Sequence, residues 1–280
     1  MTNPIADPLV EVTDTEALSD TVALDASPSG VAVVTINRPA KKNAFDAEVI
    51  AALSQTFETL RDADGVRIVF LRGAGGAFSA GADLEWMRAA ADFSVSENRE
   101  DAMALAEMLL ALRELPQFTV ALVEGPAFGG GAGLVAACDY AVAAADAKFA
   151  FSEVKLGLVA ATISPHVVDA IGPRRAKSLF ATGRMFDAAF AEKIGLVDEV
   201  VAEAADLDDA MERLSNEIML AAPGAVAASK QLVEDVAGLP LDEELLEHTA
   251  KVIAEARVGE EGQEGVRAFI ERRKPGWAEQ

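Results

Sequence analysis

The sequence predicts an α/β protein in which a mostly parallel sheet is covered by helices. Over roughly the first 160 residues, short apolar runs of strand length alternate with longer segments of helical periodicity. The remainder consists almost entirely of helical patterns, with VDEVV as the one strand candidate. A length of 280 residues with 51% hydrophobic residues is enough to bury a sizeable core.

The elements of the first part of the chain follow from local patterns. The expected strands are VALDA, VAVVTIN, VRIVFLRG, FTVALV and YAVAA, with the turn SPSG joining the first two. Asp46 is placed to cap a helix that runs to about Arg61. A short helix, LEWMRAA, and a long helix from Ser96 to Leu115 come next, and Pro116 stops the long one.

Three regions are expected along the chain. Residues 1–20 contain five acids and two prolines with little periodicity, which predicts a flexible acidic tail. Residues 21–205 form the core. Residues 206–280 form a helical C-terminal region, whose apolar stripes would pack on the core or on another subunit.

Composition excludes several classes of function. The chain has 46 acidic against 24 basic residues, a formal net charge of -22, so nucleic acid and anionic membranes are unfavourable partners. The lone cysteine Cys138 excludes an internal disulfide, and His166 and His248 are too few for a multi-histidine metal site. No apolar run suits a membrane span, and no basic segment precedes Arg38, so a cytoplasmic protein is expected.

Four glycines stand at a predicted strand-to-helix junction, in PAFGGGAGLVAACD, and three interpretations compete. Glycines permit a tight turn and close packing. The run from Gly131 to Ala136 also fits a dinucleotide fingerprint with Asp146 as the ribose acid, although its helix is only about two turns long. In the third interpretation, backbone N–H groups at the helix start form half of an oxyanion hole.

A second loop would have to supply the other oxyanion donor. GGAFSAGADLEWM, residues 75–87, follows a strand and opens a helix with acids in its first turn. Ser79 within it fails the G-x-S-x-G nucleophile pattern, because residue 77 is alanine. We therefore expect Ser79 to be a loop hydroxyl.

Five motifs in order resemble the crotonase (enoyl-CoA hydratase/isomerase) superfamily over nearly the whole chain from about residue 20: TINRPAKKNAFD, AFSAGADLEWM, GPAFGGGAGLVAACDYAVA, AKFAFSEVKLGLVAATISP and AFIERRKPGW. The resemblance implies a crotonase-type spiral of ββα repeats. It also implies a helical C-terminal trimerisation region that builds a homotrimer or a dimer of trimers. GPAFGGGAGL with SEVKLGLVAATISPHVV looks like the methylglutaconyl-CoA hydratase-like branch.

The resemblance also assigns a binding site for an acyl-CoA thioester. The N–H groups of Ala82 and Gly130 would hold the thioester oxygen. Coenzyme A is part of the substrate, and no other cofactor and no metal is implied. The positions that would cradle its adenine and pantetheine are Ala44, Ala80, Asp83 and Leu84, and its phosphates would meet Lys41, Lys42 and Lys274. An ordinary solvated surface charge is the commoner fate of a lysine.

Glu153 falls on the position of the family's catalytic carboxylate. It lies between the apolar run KFAF and the leucines that follow, where burial would raise its pKa. Typical hydratases have a second glutamate where this chain has Gly133. Thr162, Ser164 and His166 could instead hold the water, although capping of the next helix is the more ordinary role for them.

The predicted function is hydration of a 2-enoyl-CoA thioester, with the enolate held in a backbone oxyanion hole. Two alternatives stay open because Gly133 carries no carboxylate. One is a Δ3,Δ2-enoyl-CoA isomerase, which needs a single glutamate to move its proton. The other is an acyl-CoA-binding protein with impaired catalysis.

Overall fold

The architecture is that of a large twisted sheet with a small second sheet beside it. In the computed structural model, residues 15–16 and 20–278 are described. The strands are β1 Thr15–Glu16, β2 Val22–Ala26, β3 Val31–Ile36, β4 Ile68–Gly73, β5 Phe118–Val123, β6 Pro126–Phe128, β7 Tyr140–Ala144, β8 Lys148–Ala150, β9 Phe186–Asp187 and β10 Glu199–Val201.

The large sheet has the order β1-β2-β3-β4-β5-β7-β10. β2 pairs antiparallel with β1 and β3, and from β3 to β10 every neighbour is parallel. The predicted parallel sheet is therefore confirmed, with an antiparallel edge. The small sheet has the order β6-β8-β9 and was not predicted, because its strands have only two or three residues each.

Ten helices surround the sheets in the described part of the chain. They are α1 Ala47–Arg61, α2 Leu84–Ala90, α3 Val95–Arg113, α4 Gly130–Ala137, α5 Ser164–Thr182, α6 Ala188–Ile194, α7 Asp206–Ile218, α8 Pro223–Val236, α9 Glu243–Val258 and α10 Glu260–Glu271. The Asp46 side chain caps α1 as predicted, accepting a hydrogen bond from the Val49 N–H at 3.1 Å. α5 is kinked at Gly172, which adopts a φ of 76° just before Pro173.

Strand β4 shows why the sheet is covered on both faces. Its residues are apolar in a continuous run, and alternate side chains enter two different hydrophobic clusters. Val69 and Leu71 face the main core with α1, α3, α4 and α5. Ile68 and Phe70 face the second cluster, which α7 covers from the other side through Leu207, Ala210 and Leu214.

The predicted region boundaries are only partly visible in the structure. Thr15 and Glu16 pair with β2, whereas the rest of the expected tail, apart from Asp20, lies outside the described residues. α7 follows the expected boundary at residue 205 directly and still packs on the sheet, because its apolar stripe completes the second cluster. The division into 21–205 and 206–280 stays a prediction.

Neither a membrane-spanning helix nor a metal-binding cluster is found among the described residues. Among the described residues, no helix combines the length and apolarity that crossing a membrane requires. Residues 15–16 and 20–278 also contain no cluster of three or more His, Cys, Asp or Glu side chains arranged to bind a metal ion. The cytoplasmic location expected from the sequence stays a prediction.

A lysine joins the C-terminal helices to the core. Lys230 of α8 lies with its Nζ 2.6 Å from Asp139 Oδ2, and it donates hydrogen bonds to the Leu115 and Gln117 carbonyl oxygens, both at 2.7 Å. Thr119 donates its N–H and hydroxyl to the same Asp139 oxygen, each at 2.8 Å. One side chain thus satisfies three acceptors at the start of β5 and the end of α4.

We expect Lys230→Met to lower the free energy of unfolding by about 2 to 4 kcal/mol, because it removes the cation paired with Asp139 and leaves two carbonyl groups without this donor. Urea unfolding followed by circular dichroism measures the change. Lys251→Met is the matched control, since its exposed pair with Glu255 is expected to contribute about 0.5 kcal/mol or less. Equal losses in the two variants would contradict a special role for Lys230.

Candidate active site

Four extended segments run side by side and end at one edge. β6 and β8 pair in parallel. Ser79 makes a parallel bridge to Ala127 of β6, and Phe45 makes one to Ala82. These contacts place the segments 43–45, 79–82, 126–128 and 148–150 in one parallel array. Because parallel segments present the same end at the same edge, residues that follow each of them meet there.

Backbone hydrogen bonds hold this array together. The Phe45 N–H donates to the Gly81 carbonyl oxygen at 2.7 Å, and the Phe128 N–H donates to the Ser79 carbonyl oxygen at 2.9 Å. The Gly129 N–H donates to the Ala150 carbonyl oxygen at 2.9 Å. The loop around Ala82, the start of α4 and the segment before Glu153 are therefore fixed to one another through main-chain atoms.

Glu153 lies directly beside the glycine cluster. A methyl group built on Gly129, whose φ is 50°, would lie 3.1 Å from Glu153 Oε1. Only glycine fits this position, because the backbone is left-handed and the carboxyl group occupies the adjoining space. Glu153 Oε2 is buried and has no hydrogen-bond partner among the described residues. Burial raises the pKa of the Glu153 carboxyl above its ordinary value.

Ala82 and Gly130 present their N–H groups at the same edge. Gly130 is the first residue of α4, and Ala82 immediately precedes Asp83, the cap of α2. Neither N–H donates a hydrogen bond within residues 15–16 and 20–278. The two loops touch through their backbones, since a methyl group built on Gly81 would lie 2.9 Å from the Phe128 carbonyl oxygen. The structure thus places two free donors on adjacent loops.

A cavity of about 730 Å³ opens onto this edge. The segment around Glu153, the Gly129–Gly130 turn, the loop of Ala82 and helices α2 and α3 all contribute to its lining. Most lining side chains are apolar; among them are Leu84, Trp86, Met87, Leu105, Leu156, Leu158, Val159 and Ile163. An apolar cavity with a few polar groups at its end is the usual form of a small-molecule site.

Ile163 fills the space beside Gly133. A methyl group built on Gly133 would lie 2.9 Å from Ile163 Cβ and closer still to its Cγ2 atom. Ile163 itself is only 2% exposed. A glutamate at residue 133 is therefore incompatible with this packing, and the position holds no room for a second carboxyl group.

Three residues were predicted as alternative ligands for a water molecule, and only Thr162 lines the cavity. Ser164 donates its hydroxyl to the Ala161 carbonyl oxygen at 2.7 Å. His166 is buried and lines a different cavity beside Arg113. The prediction that they cap the helix is wrong, because α5 has no side-chain cap at its N-cap residue.

The Ser79 prediction is confirmed in its structural part. Ser79 is fully buried, and its hydroxyl accepts a hydrogen bond from the Gly81 N–H at 3.2 Å. Gly131 packs directly on it, since a methyl group built there would lie 2.8 Å from Ser79 Cβ. The motif glycines Gly131 and Gly133 thus contact protein atoms, as the close-packing interpretation expects. The fingerprint acid Asp146 does not line the cavity.

Asp83 and Lys41 form an ionic cluster next to the loop that contributes Ala82 to the cavity lining. Asp83 is 4% exposed, caps α2 by accepting from the Glu85 N–H at 2.8 Å, and lies 2.9 Å from Lys41 Nζ. The hydrogen bond from Lys41 lowers the pKa of Asp83 to about 2. Lys41 also pairs with Glu85 at 2.6 Å, and Arg38 pairs with Asp83 at 3.2 Å. The charge of Lys41 is therefore already neutralised by two carboxylates.

Some of the other residues predicted to bind coenzyme A line the cavity, and some do not. Ala80 and Leu84 line the cavity, whereas Ala44 is buried below the ion pairs and accepts a hydrogen bond from Arg38. Lys42 is exposed at a left-handed turn, and its carbonyl oxygen accepts from the Ala80 N–H at 2.9 Å. Lys274 is exposed near the C-terminus and does not line the cavity.

The end of the chain is fixed away from the cavity walls, which explains the position of Lys274. Arg273 pairs with Glu264 at 2.6 Å, and Trp277 donates its Nε1–H to the Leu220 carbonyl oxygen at 3.1 Å. These contacts hold the C-terminal segment on α10 and on the turn after α7. A contact between Lys274 and coenzyme A stays a prediction.

Asp101 is the cavity residue that the sequence analysis missed. It is half-buried on α3 and accepts a hydrogen bond from Trp86 Nε1–H at 3.2 Å. Burial raises the pKa of its carboxyl, and the Trp86 hydrogen bond opposes that shift. Asp101 shares a helical stripe with Leu105, Met108 and Leu112, so an acid at an apolar position was the available signal.

Comparisons with known proteins agree with this geometry. Residues 26–280 match the family model described as enoyl-CoA hydratase/isomerase. A Thermus thermophilus protein that carries an enoyl-CoA hydratase name is 37% identical over 247 residues, 88% of this chain and 96% of its own. The crystal structure of an enoyl-CoA hydratase from Shewanella pealeana is 38% identical, with a TM-score of 0.90 over 95% of this chain and 100% of that one.

A third comparison extends the likeness. A Legionella pneumophila structure described as an enoyl-CoA hydratase/isomerase (crotonase) is 43% identical, with a TM-score of 0.86 over 92% of this chain and 99% of that one. The predicted crotonase fold is thereby confirmed. The chain belongs to the enoyl-CoA hydratase/isomerase family.

Proposed function

We propose that this protein is an enoyl-CoA hydratase, which adds water across the double bond of a 2-enoyl-CoA thioester. The proposal rests mainly on one observation: the Glu153 carboxyl and the free N–H groups of Ala82 and Gly130 line the same cavity. The names of the relatives support the same activity. Two adjacent N–H donors of this kind can form an oxyanion hole.

The two N–H groups act on the thioester carbonyl. When a nucleophile adds to C3, the C2=C3 electron pair shifts and the carbonyl oxygen becomes an enolate oxygen. Donors that are already aimed at this oxygen stabilise the negative charge without reorganising. The N-terminus of α4 adds its positive dipole end at Gly130.

Glu153 supplies the proton for C2. Its raised pKa keeps the carboxyl protonated in a larger fraction of molecules, and loss of that proton to C2 leaves a carboxylate in a poorly solvated place. The hydroxyl group then sits on C3 and the new hydrogen on C2. The reverse transfer dehydrates a 3-hydroxyacyl thioester by the same groups.

An isomerase is the second candidate, and the packing at Gly133 favours it. Ile163 occupies the space of a second glutamate, so Glu153 is the one carboxyl group beside the glycine cluster among the described residues. One carboxyl group suffices for isomerisation, because it can remove a proton from C4 or C2 and return it elsewhere on the same enolate. An acyl-CoA-binding protein with impaired catalysis is less well supported, because the Glu153 carboxyl lies beside the glycine cluster.

The substrate's remaining parts are assigned by position. The apolar cavity would take the acyl group, and the branched glutaconyl-type acyl group suggested by the sequence motifs stays a prediction. Ala80 and Leu84 would contact the pantetheine arm at the cavity rim. Lys42 is the better candidate for a phosphate contact, because Lys41 already pairs with Asp83 and Glu85.

We also propose that copies of this chain associate through the helical C-terminal region. Large apolar side chains stand exposed there, including Leu241 at 83%, Phe269 at 84% and Ile270 at 73%. Such a surface is unfavourable in water and favours burial against another subunit. The predicted assembly is a homotrimer or a dimer of trimers.

The activity is tested with purified protein, crotonyl-CoA and ¹⁸O-labelled water, with mass spectrometry as the readout. We expect a product heavier by one labelled water. Glu153→Gln should reduce the rate by about 10²- to 10⁴-fold, because the amide cannot exchange the proton. If the protein converts a 3-enoyl-CoA to its unlabelled isomer and incorporates no water when given crotonyl-CoA, the result would favour the isomerase.

The oxyanion hole is tested with two substitutions at Gly130. Gly130→Pro removes the N–H at the first helical turn, where proline is otherwise tolerated, while Gly130→Ala adds a Cβ and keeps the N–H. Both variants place a Cβ atom against the Phe45 ring. We expect kcat of the proline variant to be about 10²- to 10³-fold below that of the alanine variant. Equal kcat values would argue against the Gly130 donor.

The burial of Glu153 predicts that its replacement by glutamine stabilises the protein to an extent that depends on pH. A carboxyl whose folded pKa is raised disfavours the folded state once the pH exceeds the unfolded value, 4.5. Glu153→Gln should therefore raise Tm at pH 7.5, and the difference from the parent protein should shrink as the pH falls towards 4.5. Calorimetry at several pH values checks this; a constant difference would contradict the assigned burial.

A further inference from the structure

The cavity holds a second carboxyl group that the reaction described so far does not use. Among the described residues that line it, Asp101 and Glu153 are the two with ionisable side chains. We propose that Asp101 is the second catalytic carboxyl of hydration: it holds the water that adds to C3 and takes its proton. This inference rests on the proposed hydratase function.

The position of Asp101 relative to Glu153 suits this division of work. Glu153 lies beside the glycine cluster, whereas Asp101 belongs to α3. The two carboxyl groups therefore come from different elements that line the same cavity. In the proposal, Glu153 serves the thioester end and Asp101 serves the acyl chain.

The hydrogen bonding of Asp101 leaves one oxygen for a ligand. Trp86 Nε1–H donates to Oδ1 at 3.2 Å and fixes the orientation of the carboxyl group. Oδ2 accepts no hydrogen bond from any residue in the described part of the chain. An anchored carboxylate with one free oxygen can accept a hydrogen bond from water, which orients the lone pair of that water.

The surroundings of Asp101 also suit a base. Burial raises the pKa of the Asp101 carboxyl above that of an ordinary aspartate, so its carboxylate accepts a proton more readily. Trp86 opposes the shift and keeps the ionised form accessible. The other polar side chains of the lining, Asn98, Ser152 and Thr162, are neutral and are poor proton acceptors at neutral pH.

The proposed step balances as follows. One O–H bond of water breaks, its proton passes to the Asp101 carboxylate, and the oxygen forms a bond to C3. The C2=C3 electron pair moves into the enolate, which then takes the proton of the Glu153 carboxylic acid at C2. Asp101 has gained one proton and Glu153 has lost one, and exchange with solvent restores both groups.

The experiment separates water addition from proton transfer at C2. Hydration of crotonyl-CoA requires both carboxyl groups in this proposal, whereas exchange of the C2 hydrogens of butanoyl-CoA with D₂O involves no water addition and requires Glu153 alone. Both rates are measured for the parent protein and for Asp101→Asn, which retains an oxygen acceptor for Trp86. Glu100→Gln is the matched control, because Glu100 is exposed on the same helix and does not line the cavity.

We expect Asp101→Asn to lower kcat of hydration by about 10²-fold or more, with C2 exchange within about threefold of the parent rate. Glu100→Gln should leave both rates unchanged. Trp86→Phe, which keeps the carboxyl group but removes its anchor, should lower hydration about tenfold more than it lowers exchange; a common loss in both rates is expected because Trp86 also lines the cavity. This variant also serves if Asp101→Asn fails to fold.

Two results would overturn the inference while leaving the proposed function standing: undiminished hydration by Asp101→Asn, or an equal loss of hydration and exchange. A parent protein that exchanges C2 hydrogens but hydrates no 2-enoyl-CoA would overturn the proposed function itself, and the role of Asp101 with it.

Discussion

Main-chain pairing between four short parallel segments is the interaction on which the rest of the site depends. Segments 43–45, 79–82, 126–128 and 148–150 come from distant parts of the chain, yet each is hydrogen-bonded to its neighbour through backbone atoms. Because their ends share one edge, this main-chain pairing brings two N–H donors and one carboxyl group close together. Such an arrangement tolerates variation in side chains better than in backbone length.

The charges near this edge are paired with one another, whereas the protein as a whole carries a large negative charge. The net charge of -22 would repel an anionic thioester at long range. Close to the cavity, Arg38 and Lys41 are bound to Asp46, Asp83 and Glu85, which keeps the local balance near neutral and fixes the start of α2. Backbone dipoles, rather than cationic side chains, therefore provide the positive potential next to Glu153.

Much of the architecture could be predicted from the sequence, because long apolar runs and helical stripes dominate it. The buried strands β4 and β5, the helix α1 capped by Asp46 and the long helix α3 are clear in the local pattern. The short strands β6 and β8 could not be predicted, since three residues carry too little periodicity. Their pairing is a property of the assembled chain.

The site was predictable to a different extent. Ala82, Gly130 and Glu153 were found through ordered motifs, and the structure brings them to one edge. Asp101 was missed because its partner Trp86 lies fifteen residues earlier on another helix. The reason for Gly133 was equally hidden, because the side chain that occupies its space comes from Ile163.

The interlocking of Gly133 with Ile163 has an evolutionary consequence. A single substitution of either residue towards a two-glutamate site is unfavourable: a larger residue at 133 collides with Ile163, and a smaller residue at 163 leaves a cavity in a packed core. Both positions must change before a glutamate is tolerated. The pair therefore forms an epistatic barrier to the gain of a glutamate at residue 133.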